Sequence, residues 1–559
     1  MTTSRSRLAL GILASFGAPV AAAQSPVPPD SIPGRIAAIF APYGRSDAPG
    51  CAVGVFRAGA VLYTGGFGIA DVAHHIPLTD TTAMSVASLS KQFTAFTVLL
   101  LEADGKLRLD DDVRRYVPEL PVFGPPITIR QLLNHTSGLR DQWNLFDMAG
   151  WRISDVETAS DMLWLIQRQR ALNHPPGAEF RYNSTGFFLL ALIAERVSGS
   201  PFRRLVAGRV FGPLGMTRSV VKAEMEQVVD GHATGYWGHD PAALRVARPP
   251  FSWTGATGVV TSVRDLARWD ADYYAPRVGT RALHDSMSAP GHLTDGTTLG
   301  HGLGQYIGRY RGRRMLSHAG SDPGYKSDFI RFPEDSLTVT VLCNAFDIAP
   351  TPLALRVADL YLAGGDSVVA VVDVPNRSPA LAPRTLAGLY WHAASGNAYR
   401  FFFENDGLVL DGGGEGKFPL APLGGNAYRL TAAPRRYIFT FTRLRGTILA
   451  VEENIEGSPR RTFDRVPDAG RAGTPLSALA GAYDSPELEV TWTFALAGGK
   501  LVLQRHRMEP DSLTRLFGDV FQSRHGFLLE FSRGAAGKVA TVDVSTERVR
   551  RLRFTRRAR

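Results

Sequence analysis

Cysteine is nearly absent: the 559 residues contain only Cys51 and Cys343. Two are too few for a disulfide scaffold. Both sit in strand-like apolar runs, CAVGVF and LTVTVLC, where buried free thiols are the favoured expectation, although an exported chain permits a bridge. Past the first residues no stretch of about 20 uninterrupted apolar residues occurs, so no membrane-spanning helix is expected. His74 and His75 are adjacent and lack a spaced partner set, which reads as a loop and leaves no metal constellation. No nucleic-acid motif accompanies the net charge of +10. Much of that excess lies in RVRRLRFTRRAR (548–559), which suits contact with an anionic cell envelope.

The beginning of the chain has the three parts of a secretory signal, residues 1–23. Arg5 and Arg7 are basic, Leu8 to Val20 is mostly apolar or small, and Ala21-Ala22-Ala23 precedes Gln24. SPVPP (25–29) would end a buried helix abruptly. No Arg-Arg pair or cleavage-site Cys points to a twin-arginine route or a lipid anchor. The expected location is periplasmic or secreted.

Charged residues make up 20% and hydrophobic residues 44%, ordinary for a folded chain. IPGRIAAIFAPYG (32–44) predicts an amphipathic helix. CAVGVFRAGAVLYTGGFGIAD (51–71) predicts two strands with a turn around Arg57-Ala58-Gly59. SLSKQFTAFTVLLLEADGK (88–106) predicts a long apolar helix stopped by Asp104-Gly105. Residues 111–290 read as mostly helical. A hairpin with Pro333-Glu334-Asp335 in its turn follows at 327–344, then a helix at 352–362. Strands at both ends of a helical middle suggest one sheet built from both ends of a single domain, 32–365.

The Pro-rich DVPNRSPALAP (373–383) marks a linker, placed at 366–384. Alternating apolar runs then take over, and they repeat. LAGLY (386–390) returns as LAGAY (479–483), and LVL (408–410) as LVL (501–503), both after 93 residues. A shared offset predicts two tandem all-β modules of barrel type, 385–467 and 477–559, rather than one larger sheet.

Ser88 and Lys91 form S-x-x-K, a spacing that stacks both side chains on one helical face. A serine hydroxyl is a weak nucleophile until a base takes its proton. A lysine among apolar neighbours such as Phe93, Phe96 and Leu99 loses hydration, and its falling pKa lets it be that base. Alone the motif is common and fits a helix-capping Ser beside a solvated Lys equally well. Context weighs against that: ITIRQLL (127–133), HTSGL (135–139), FRYNSTGFFLLALIAE (180–195), PLGM (213–216) and SHAGSDPGY (317–325) follow in order.

In order and spacing, these motifs over residues 32–365 resemble the serine β-lactamase and penicillin-binding protein superfamily, nearest its class C β-lactamase-like branch of D-aminopeptidases, D-peptidases and esterases. The resemblance implies an α/β serine hydrolase fold: an antiparallel sheet flanked by helices, with a helical subdomain. Two β modules after such a domain resemble the layout of D-aminopeptidases. It implies a catalytic set of Ser88, Lys91 and Tyr182, the tyrosine sharing protons with Lys91 and the leaving group. Because a tyrosine titrates near 10, a neighbouring ammonium is expected to help it ionise. Ser184 stands where Tyr-x-Asn relatives carry Asn, and is implied as a shorter-reaching substrate contact. His318-Ala319-Gly320 replaces Lys-Thr-Gly, with His318 orienting or relaying a proton and Gly320 leaving room for substrate along the strand. The backbone N–H groups of Ser88 and Ser321 would form the oxyanion hole. His135 is read as part of a shaping loop, outside the chemistry. The superfamily's sheet order would also make the first and last strands neighbours, bringing Cys51 towards Cys343.

The implied activity is hydrolysis of a small peptide, amide or ester through an acyl-enzyme, without a cofactor. Because His318 is largely neutral where relatives have a fixed charge, carboxylate recognition is expected to be weak, favouring D-amino-acid-containing peptides or small esters. A D-Ala-D-Ala carboxypeptidase or a β-lactamase is the alternative among enzymes. A cell-wall or penicillin-binding protein without turnover is the alternative outside them.

Overall fold

The computed structural model describes residues 30–362, 381–411, 417–430, 437–444, 448–455, 460–467 and 473–558. The signal reading of residues 1–23 and most of the linker lie outside the described residues.

Helix α1 (Ile32–Phe40) starts at Ser31, whose hydroxyl accepts the Gly34 N–H. Strands β1 (Cys51–Arg57) and β2 (Ala60–Phe67) form a hairpin. Its two-residue turn needs positive φ twice and has it, at Ala58 (49°) and Gly59 (81°). Helix α2 (Ser90–Ala103) is apolar nearly all round and accordingly buried from Ser90 to Leu101, ending before Gly105 at φ 70°. It begins two residues later than expected: Ser88 sits in a preceding 3-10 turn, Ala87–Leu89. Helix α3 (Ser184–Ser198) and helix α4 (Val263–Tyr274) pack beside it in the same core.

The stretch 111–290 is mostly helical in its regular structure, as expected, with short strands added. Helices there alternate with short strands, such as Glu157–Thr158 paired with Phe251–Ser252, and Val259–Thr261 between Met84–Ser85 and Val220–Val221. Runs this short carry too few residues for a strand period to show.

Strands β3 (Tyr306–Tyr310), β4 (Arg313–Asp322), β5 (Tyr325–Phe332) and β6 (Leu337–Cys343) complete the main sheet, in the order β3-β4-β5-β6-β1-β2. The two ends of the domain meet where β1 pairs antiparallel with β6. Alternation along β1 divides the core into two layers. Cys51, Val53 and Val55 face α1 and helix α5 (Pro350–Ala358), while Ala52 and Phe56 face the α2 side. Cys51 and Cys343 are opposed in the β1–β6 register and form a disulfide, with Cα atoms 4.0 Å apart. This overturns the favoured reading of free thiols. Each run taken alone looks like ordinary buried strand, and only the pairing of β1 with β6 puts the two sulfurs side by side.

Beyond the sheet, eight strands from Gly388–His392 to Arg461–Arg465 close into a barrel with its own core. Nine more, from Gly481–Ser485 to Leu552–Arg556, form a second curved sheet. The 93-residue repeat has a physical basis. Tyr390 donates its hydroxyl to the Leu386 carbonyl and Tyr483 does the same to Leu479, each at 2.9 Å. Gly388 (φ 150°) and Gly481 (φ 147°) lie under Arg465 and Arg556, whose guanidiniums donate to the carbonyls of Ala387 and Ala480. The second module shares one continuous apolar core with the helical side of the first domain, through Trp492, Phe527 and Phe554. Trp492 Nε1 donates to the Met148 carbonyl at 2.9 Å.

The basic run, described as far as residue 558, lies in the last loop and strand of this second sheet and is largely paired within the protein: Arg550 with Glu179, Arg553 with Asp543, Arg557 with Asp484.

Candidate active site

Ser88 follows Ala87, a non-glycine residue held at φ 49°. That unfavourable backbone turns the chain sharply between a strand and α2 and leaves Ser88 partly exposed among buried neighbours. One turn on, Lys91 has no exposed surface. Its Nζ lies 3.1 Å from Ser88 Oγ and donates to the Ala256 carbonyl at 2.9 Å. Aromatic faces complete its surroundings, Tyr182 at 4.9 Å and Phe187 at 5.5 Å from Nζ to ring centre. Burial lowers the Lys91 pKa to about 7, against the opposing pull of Asp141 and Asp322. The lysine is thereby poised to be neutral near physiological pH, which a proton acceptor requires.

Tyr182 ends the segment entering α3. Asn183 caps that helix, its side chain accepting the Gly186 N–H at 2.7 Å. His135 holds this junction from the other side. Its Nδ1 accepts the Asn183 N–H at 3.1 Å, its carbonyl accepts the Arg181 N–H, and its ring lies 4.4 Å from the Tyr182 ring. The HTSGL loop therefore fixes the place of Tyr182. Burial raises the Tyr182 pKa, and neighbouring Tyr306 adds to the shift, while Ser88 and Arg548 oppose it. The expectation that an ammonium helps it ionise thus fails: desolvation outweighs the nearby cation, and the phenol rests protonated.

Ser184 opens α3 and is buried, its N–H donating to Asp141 Oδ2 at 2.7 Å. His318 sits buried on β4, with Nδ1 and the Ala319 carbonyl 2.7 Å apart, which places the ring proton on Nδ1. Burial, with Lys91 nearby, pushes its pKa down to about 3, so the ring is neutral across the physiological range. β3 pairs with β4 only as far as Ser317, so His318–Asp322 keeps one edge without a strand partner among the described residues. Ser321 lies on that stretch with its side chain outward, holding Lys326 Nζ at 2.8 Å. Gly320 differs from the expectation. A Cβ there would meet the Val86 carbonyl at 2.2 Å and Ser327 Oγ at 2.4 Å. Its smallness serves the contact between β4 and the turn that carries Ser88, rather than room for a ligand.

Three groups at this site have no local sequence signal. Asp141, buried, has its pKa raised by that burial, with Arg548 opposing. Asp322, whose Oδ2 accepts the Thr257 hydroxyl at 2.5 Å, is pushed up to about 6 by burial. Arg548 comes from the second β module, its guanidinium 5.1 Å from the Tyr182 ring centre. Nothing in the local sequence around residue 548 could have connected it to Ser88. Among the described residues no group of three His, Cys, Asp or Glu is placed to hold a metal ion. No helix among them is long and apolar enough to cross a membrane.

The sequence profile of the Beta-lactamase family matches residues 36–363. A D-aminopeptidase of Gluconobacter oxydans is 29% identical, over 88% of this chain and 91% of its own. Penicillin-binding protein 4* of Bacillus subtilis is also 29% identical, covering 68% of this chain and 88% of its own. The octameric penicillin-binding protein homologue of Pyrococcus abyssi shares the fold, with a TM-score of 0.53 at 23% identity over 77% of this chain and 99% of that one. With the family profile spanning more than half of its residues, the chain belongs to the Beta-lactamase family and is a serine hydrolase of that fold.

Proposed function

We propose that this protein is an exported hydrolase that forms an acyl-enzyme at Ser88 with D-amino-acid amides, peptides containing D-residues, or small esters. The observation that carries this reading is the wholly buried Lys91 amine, 3.1 Å from the Ser88 hydroxyl. Neutral Lys91 takes the Ser88 proton as Oγ bonds to the substrate carbonyl carbon. The N–H groups of Ser88 and Ser321 hold the oxyanion, on the unpaired edge of β4. Protonated Tyr182 hands its proton to the departing amine or alcohol and is reprotonated from Lys91. Water then attacks the acyl-enzyme through the same groups, releasing the acid and restoring Ser88. Ser184 and neutral His318 line the site and orient these groups.

A D-aminopeptidase relative matched over 88% of this chain supports the D-amino acid preference. The N-terminal tripartite pattern supports export, and the Cys51–Cys343 disulfide fits an oxidising compartment. Confinement of each sheet to its own stretch supports domains at 32–365, 385–467 and 477–559.

A substrate panel with Ser88→Ala tests the reading: a D-alanine anilide, a D-Ala-D-Ala peptide, a short-chain ester and a cephalosporin. Wild type should hydrolyse the D-alanine substrates or the ester with higher kcat/KM than the cephalosporin. Ser88→Ala should lose turnover and labelling by a fluorophosphonate, and full labelling of the variant would reject Ser88. Stable labelling of wild type with no turnover of any substrate would make the protein a binder instead.

A further inference from the structure

The loop between β7 (Val539–Ser545) and β8 (Leu552–Arg556) of the second module reaches the cleft, and it is locked there. The Arg548 carbonyl accepts Asn173 Nδ2 at 2.8 Å and the Asp141 N–H at 3.3 Å. Two residues on, Arg550 grips both oxygens of Glu179 at 2.8 Å. Buried Arg140 pairs with Glu487 at 2.7 Å and donates to the Arg550 carbonyl at 3.0 Å. Such a clamp fixes the backbone that carries Arg548, so binding a ligand there need not order the loop.

What it presents is a guanidinium with its hydrogen-bonding capacity unused. Its side chain is 32% exposed, and its nearest carboxylate oxygen, Asp141 Oδ1, is 3.9 Å away, beyond hydrogen-bonding distance. Among the described residues none accepts a hydrogen bond from its N–H groups. The other basic groups at the cleft are committed: Lys91 to Ser88 and the Ala256 carbonyl, Lys326 to the Ser321 hydroxyl, and His318 to the Ala319 carbonyl in its neutral form. Among the described residues Arg548, loosely paired with Asp141, is therefore a permanent cation at the site whose side-chain N–H groups have no acceptor. It lies against the ring of Tyr182, which on the reading above faces the leaving group. A planar guanidinium fork matches a carboxylate in two parallel hydrogen bonds.

We propose that Arg548 binds the carboxylate of the leaving portion of the substrate, so that the preferred substrates are short D-residue peptides with a free C-terminal carboxylate. The fixed charge that His318 fails to supply on β4 comes instead from the second β module. This rests on the reading of Ser88 as the acylated residue.

The test compares D-alanyl-D-alanine with its C-terminal amide. Both carry the same ammonium, so only the carboxylate differs. Binding is measured by calorimetry on the full-length Ser88→Ala protein, which separates recognition from turnover. The free acid should bind tighter by about ten- to a hundredfold, the worth of a charge-assisted hydrogen bond. Adding Arg548→Gln should bring the ratio near one, and Arg548→Lys should keep part of it. A ratio at or below one, or no binding of either peptide, overturns the proposal. So does a preference that survives Arg548→Gln. Should Arg548→Gln fail to fold, the ratio in the Ser88→Ala protein and the lysine variant still decide. Continued peptide hydrolysis by Ser88→Ala would instead reject the acyl-enzyme reading, while the binding ratio still reports on Arg548.

Discussion

At the scale of single residues, the acidity of Lys91 follows from where its amine ends. Full burial removes hydration that an ammonium needs, and the carboxylates of Asp141 and Asp322 only partly restore the balance. The protonated amine cannot accept the Ser88 proton, so activity belongs to the deprotonated form. With a pKa of about 7, kcat/KM for an uncharged short-chain ester should climb roughly tenfold per pH unit below that value and level off above it. A pH profile from 5 to 9 checks this. A rate still climbing at pH 9 would leave Lys91 charged through the working range and remove it as the base. Neither His318 nor Tyr182 should add a limb near neutrality, because burial moves both away from it, downward and upward respectively.

At the scale of elements, two contacts hold the main sheet in place, one beside the cleft and one across its closing strand pair. Gly320 touches the Val86 carbonyl, and Ser327 Oγ donates to that same carbonyl at 2.8 Å. A methyl group there must push β4 away from the Ser88 turn. Gly320→Ala should therefore cost about 1–3 kcal/mol of stability, as overpacking commonly does. It should lower kcat as well, and denaturant titration with ester kinetics would measure both. A variant as stable and active as wild type would show that β4 can shift freely. The second contact is the Cys51–Cys343 disulfide, which joins positions 292 residues apart. Closing so long a loop restricts the unfolded chain strongly, so replacing both cysteines with alanine should cost about 2–5 kcal/mol. Unfolding of the reduced and oxidised wild type gives the same comparison without mutation, and equal midpoints would contradict it.

At the scale of the whole molecule, the second β module packs directly against the domain that carries Ser88. Its core is continuous with that of the helical side, and its last loop enters the active site. The barrel at 388–465 keeps a core of its own and touches that loop through Arg551, which donates to the Ala393 carbonyl at 2.7 Å. The Arg140–Glu487 pair joins catalytic domain to second module with almost no exposure on either side. Removing one partner leaves the other charge buried alone, so Arg140→Ala should destabilise by about 3–5 kcal/mol. It should also speed limited proteolysis between the modules, around 467–476. Unchanged cleavage would mean that the apolar core alone holds the module in place.

Local chemistry and periodicity carry much of this protein in the sequence. The S-x-x-K spacing brings Ser88 and Lys91 together because one helical turn does so wherever it lies. The hairpin at 51–67, the buried helix after Ser88 and the tandem repeat are likewise properties of short stretches. Tertiary structure alone decided the rest. Whether two strand cysteines are free or bonded depends on which strands pair. Whether Tyr182 ionises depends on how much surface is packed around it, and burial wins. Whether Gly320 serves substrate or strand depends on what lies beneath it. The cation of the cleft is the furthest case, because Arg548 stands in a basic run that looks like a solvated tail. Only the docking of one module against another turns that side chain towards Ser88, and docking is set by the packing of whole surfaces, which no local pattern encodes.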